Sequence, residues 1–134
     1  SRRSYETRNR VCDMLLKVAG PYAPSHVIII YYNRLEQRFV RAVEGISNFD
    51  TLRLVLWEDD MPDVMRIDGV FNEEGYRYVC SRIKSSEITP QELSDLKKAK
   101  AAYEILNEMR TLVNAAKKGD RVKVNRILNK GAMA

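Results

Sequence analysis

"HVIIIYY", residues 26–32, is the stretch on which the reading of this chain turns. β-Branched and aromatic side chains follow one another through it without a polar interruption, the pattern of a strand covered on both faces. The pattern changes immediately afterwards. Leu35, Phe39, Val43 and Ile46 recur at helical spacing, and Asn33 with Glu36 three residues later has the form of a capping box, so 33–46 reads as a helix. The "RFVRAV" within it also suits a strand, and that alternative stays open.

On the N-terminal side, Tyr5 to Ala19 reads as a helix with Val11, Leu15 and Val18 on one face and Cys12, Leu16 and Ala19 beside them; Gly20-Pro21 ends it. On the other side, Ser47-Asn48-Phe49-Asp50 is a turn. Leu52, Leu54 and Leu56 then alternate with Arg53, Val55 and Trp57, the two-residue period of a half-buried strand. A polar loop, "EDDMPD" (58–63), and a second strand, "VMRIDGVF" (64–71), complete an expected hairpin over 51–71. Asn72 can cap a helix over 73–85 that turns Tyr76, Val79, Cys80 and Ile83 inward, with Gly75 weakening its first turn.

Thr89-Pro90-Gln91-Glu92 is a strong helix start: a capping hydroxyl, proline at the first helical position and glutamate at the third. The helix it opens runs to about Arg110, with Leu93, Leu96, Ala99, Ala102, Tyr103, Leu106 and Met109 as its apolar stripe. The expected fold class is therefore α+β. Residues 1–88 form a small sheet with a β-hairpin flanked by helices, and 89–134 an all-helical segment.

Composition sets the outer bounds. With 134 residues, 45% hydrophobic and 31% charged, the chain can bury a core and suits one domain with a short appendage. No stretch approaches the ~20 apolar residues of a membrane helix. Cys12 and Cys80 are not spaced as a disulfide framework and read as reduced thiols of an intracellular protein, cytoplasmic or nuclear. The net charge of +5 is uneven: +3 over residues 1–10, −4 over 11–93 and +6 over 94–134. Basic ends on an acidic body favour an anionic partner or, equally, a solvated lysine-rich helix face.

Little in the sequence carries chemistry. His26 is the only histidine and precedes an apolar run, so it reads as structural. No Cys/His spacing suits zinc, no glycine-rich loop could cradle phosphate, and no cofactor is expected. The acidic tip of the expected hairpin, Asp60, Asp63 and Asp68, could hold Mg²⁺ for phosphoryl transfer or nuclease chemistry. Pro62-Asp63 is followed by no acidic-x-Lys element, and an acidic hairpin tip facing water is the better explanation of the cluster. Arg34, Arg38 and Arg41 would line one flank of the 33–46 helix near Tyr31 and Tyr32; with Lys117, Lys118, Arg121 and Lys123 they are candidate contacts for RNA or DNA.

The end of the chain is more specific. In "LVNAAKKGDRVKVNRILNKGA", residues 112–132, Leu112, Ala115 and Ala116 suit a first short helix, Gly119 a tight turn, Val124, Ile127 and Leu128 a second helix, and Gly131-Ala132 a closing turn. Paired alanines let antiparallel helices approach closely, and glycine accepts a backbone conformation that side chains oppose. The segment resembles one ankyrin repeat of capping type. It departs from the family where Arg110-Thr111-Leu112-Val113 replaces the usual Thr-Pro-Leu-His entry and where Lys123 takes an aliphatic place. The resemblance implies a non-enzymatic protein–protein interaction module at the start of an ankyrin array, with Val124, Ile127 and Leu128 as its partner-binding face.

Overall fold

Val27 to Tyr32 are helical. In a computed structural model, which describes residues 10, 11, 13, 15, 27–57 and 70–133, they open α1, Val27–Glu44. Tyr32, Leu35 and Phe39 of this helix are buried, while Ile30, Arg34, Gln37, Arg38 and Arg41 face outward. The helical period is therefore present, but it becomes visible only when 26–32 and 33–46 are taken as one element. Helix propensities of Val, Ile and Tyr cost only some tenths of a kcal/mol per residue, less than burying one Phe39 returns. The strand expected at 26–32 is overturned, with His26 itself outside the described residues.

The expected hairpin over 51–71 is also overturned. Asn48 caps a short helix, α2 (Phe49–Arg53), its side chain accepting from the Asp50 N–H at 3.0 Å. Leu52, Val55 and Leu56 are buried. Their spacing is that of a helical turn running into a bend, and the apparent alternation of leucines hid it. Among the described residues only Leu56–Trp57 (β1) and Val70–Phe71 (β2) pair, antiparallel, with Leu56 opposite Phe71 and Trp57 opposite Val70. Residues 58–69 lie outside the described residues. With 80% of the described residues helical, the fold is helical and not α+β.

Asn72 joins the pairing to the next helix: its N–H donates to the Val55 carbonyl at 2.9 Å and its side chain accepts from Gly75 N–H at 3.0 Å. The helix so capped is α3, Glu73–Ile83. Gly75 weakens propensity but serves packing. A Cβ at this position would overlap the Leu54 carbonyl, so the first turn of α3 can lie on the end of α2 only without a side chain there.

Thr89 caps α4 (Pro90–Lys117), accepting from the Glu92 N–H at 3.1 Å, with Pro90 in the first turn. At about 1.5 Å per residue this helix is roughly 42 Å long, and α1, α2, α3 and the last helix all pack on it. It runs through Arg110–Leu112 without a break, so the helix expected to end near Arg110 and the short helix expected from 112 are one. Contact on several sides buries Leu96, Ala99, Ala102, Leu106, Met109, Leu112, Val113 and Ala116 alike. Gly119, at φ 70°, turns the chain, and the Asp120 carboxylate accepts from the Lys123 N–H at 3.1 Å to start α5, Arg121–Met133. One hydrophobic cluster runs from Val11 and Leu15 through α1, α3 and α4 to Val124 and Leu128.

Candidate nucleic-acid interface

α1 and α4 lie antiparallel, fastened at both ends. At the end of α1, Lys98 Nζ donates to the Gly45 carbonyl at 2.8 Å. Beside it the buried carboxylate of Asp95 accepts from Ser47 Oγ (2.7 Å), Ser47 N–H (3.0 Å), Asn48 N–H (3.2 Å) and Gln91 Nε2 (3.2 Å). These donors, the Ser47 hydroxyl first, hold its pKa below the ordinary carboxylate range. Near the start of α1, the Tyr31 hydroxyl donates to the Glu108 carboxylate. Burial, and next that hydrogen bond, push the Tyr31 pKa up.

With these fastenings, one side of α1 is left to solvent. Ile30, Arg34, Gln37 and Arg41 stand at steps of four, three and four residues and so form an outward column, with Arg38 flanking it; Ile30 is 50% exposed. The Cα atoms of Arg34 and Arg41 are separated by about 10 Å along the axis. Among the described residues, no carboxylate forms an ion pair with Arg34, Arg38 or Arg41; the Arg41 Nε donates to the Gln37 carbonyl at 3.4 Å, within the helix. A shallow groove of about 310 Å³ on the same helix is lined by Glu36, Gln37, Val40 and Arg41.

Tyr31 and Tyr32, read from the sequence as part of a covered apolar run, do not offer bare rings on this surface. Tyr32 is in the core and the Tyr31 hydroxyl is committed to Glu108. A different aromatic group is packed where β2 meets α3 and α4: Tyr76 stacks on Tyr103 at 4.2 Å, Phe71 tilts against Tyr103 at 5.5 Å, and the Arg110 guanidinium lies over Phe71 at 4.8 Å. It closes the protein's own edge. Neither this group nor the Asp95 network announces itself in the sequence, although an aspartate four residues before Ala99, in line with the apolar stripe of α4, is the one available signal.

The second basic set, Lys117, Lys118, Arg121 and Lys123, is exposed around the α4–α5 turn, where the nearby Asp120 is engaged as the helix cap. The partner-binding face expected there is corrected. Val124 and Leu128 are 2% and 8% exposed because α5 folds that face onto α4 and α1, and Ile127 is packed against the same core; the docking surface expected on these residues is covered by this chain itself. Val122 is left outside.

The possible Mg²⁺ ligands Asp60, Asp63 and Asp68 lie outside the described residues, as do His26 and the Cys12 side chain. Among the described residues no three His, Cys, Asp or Glu side chains are grouped so as to hold a metal, Cys80 is a free thiol, and no helix is long and apolar enough to cross a membrane. No protein-family model matches the chain, and comparison with curated proteins and with solved structures gives no match.

Proposed function

We propose that this chain is a non-enzymatic binding module whose partner is the phosphate backbone of a nucleic acid. The observation that supports it is the exposed arginine face of α1, where Arg34, Arg38 and Arg41 come together on one helix that the other described residues leave uncovered. Guanidinium groups bind phosphate bidentately and are less strongly hydrated than ammonium groups. The basic turn at Lys117, Lys118, Arg121 and Lys123 adds a second positive region. An intracellular location, cytoplasmic or nuclear, suits such a role.

Fluorescence anisotropy with labelled oligonucleotides, titrated over a range of salt, tests the reading. Affinity should fall steeply as salt rises, and Arg38→Ala, Lys117→Ala and Lys118→Ala should each lower the log–log salt slope by about one. Absence of binding at about 50 mM salt, within the range where phosphate contacts dominate affinity, sinks the reading.

A protein partner is the second reading, and the turn geometry favours it: Gly119 takes a positive φ between two antiparallel helices, as the ankyrin resemblance requires. With Val124 and Leu128 covered, Val122 and the partly exposed Ile127 would carry such an interface. Replacing the exposed Val122 with serine and measuring association with a captured partner protein distinguishes it from the first reading, which that change leaves intact.

A further inference from the structure

Resting on the nucleic-acid reading, we infer that α1 is shaped to read duplex DNA through the major groove. The outward column carries base-reading chemistry as well as charge. Arg34 and Arg41 can each donate two hydrogen bonds to one guanine edge, Gln37 between them can pair bidentately with adenine, and the exposed aliphatic Ile30 can meet a thymine methyl. Arg38, turned to one side of the column, is placed to meet a phosphate.

The structure also separates the possible nucleic acids. Single-strand binding draws on aromatic side chains on which bases stack, and α1 offers no fully exposed one: Tyr32 is buried, and Tyr31 is half-buried with its hydroxyl tied to Glu108. The major groove of A-form RNA is too deep and narrow for side chains to read. The B-DNA groove, about 12 Å wide, admits an α-helix, and three or four side chains from one helix suffice to read it. An 18-residue helix with one uncovered face and its other face sealed against α4 has that form.

The experiment is selection from a pool of randomised duplexes with the full chain, repeated with Arg34→Ala, Gln37→Ala and a Lys117→Ala/Lys118→Ala control. All these positions are exposed, and thermal unfolding by circular dichroism verifies that the variants fold. The expected result is enrichment of a short motif, lost or shifted at one or two base pairs by Arg34→Ala and Gln37→Ala. Affinity for the original motif should drop roughly ten- to a hundredfold. The lysine control should weaken all sequences alike. Duplex binding without an enriched motif, or a motif that Arg34→Ala and Gln37→Ala leave unchanged, overturns groove reading while leaving backbone binding in place. Tighter binding to single strands or to RNA duplexes does the same. Binding to none of them at low salt overturns both.

Discussion

Asp95 illustrates how one side chain sets the geometry of a surface it does not reach. Its carboxylate gathers donors from Ser47, Asn48 and Gln91 and so fixes where α1 ends relative to α4. Because its folded pKa lies below the unfolded value, the charge contributes stability that is fully present above about pH 4, the ordinary Asp range, and is lost as pH falls through the lower folded value. Asp95→Asn keeps one acceptor and presents an amide donor to groups that are themselves donors. Unfolding by urea at pH 7 should show a loss of about 2 kcal/mol, on the scale of hydrogen bonds to a charged group. The gap between variant and parent should narrow in titrations below pH 4; a gap that widens there contradicts the assignment. Sequence reading foresaw none of this, because Ser47 and Asn48 lie 48 and 47 positions away and two of the donors are backbone N–H groups; of the donor residues only Gln91 is local.

At the scale of elements, the legible parts were those whose signals are local. Thr89-Pro90-Gln91-Glu92 specified the start of α4, Asn72 the start of α3, and Gly119 the turn into α5, since caps and positive-φ turns act over three or four residues. Arg34, Arg38 and Arg41 fell on one flank as expected, because their spacing needed only that 33–46 be helical. The strands failed for a common reason. Six residues of Val, Ile and Tyr, or three leucines alternating through 52–56, are too short a window to separate a two-residue period from a helical one, and the partner that decides between them is α4, more than 30 residues further on. Gly75 shows the same blindness in miniature: it looked like a weak point in a helix and is a point of backbone contact. Gly75→Ala, which raises helix propensity, should nevertheless destabilise the protein by more than the ~1 kcal/mol that propensity would add, because the methyl meets the Leu54 carbonyl. Chemical denaturation measures it, and a stabilised variant would show that α3 does not sit on α2 in this way.

For the whole molecule, the question is whether the terminal helix is an outward-facing appendage or part of the core. Val124 and Leu128 join the same cluster as Phe39, Leu106 and Met109, so their removal should be felt everywhere. Leu128→Ala should cost about 2–5 kcal/mol, the range for a buried leucine, and near- and far-ultraviolet signals should still be lost in one coincident transition. Loss of α5 alone in a separate early step would contradict a shared core. The basic face, by contrast, lies outside this account, so the arginine variants of α1 should unfold within about 0.5 kcal/mol of the parent.

The length and position of α4 have one consequence during synthesis. α1, α2 and α3 are all translated before residue 90, yet the surface each one rests on is made afterwards, as α4 emerges from the ribosome. At roughly 5–20 residues per second, the nascent chain spends seconds with Leu35, Phe39 and Val79 still in water. In that interval it offers chaperones a greasy surface that the finished protein never shows.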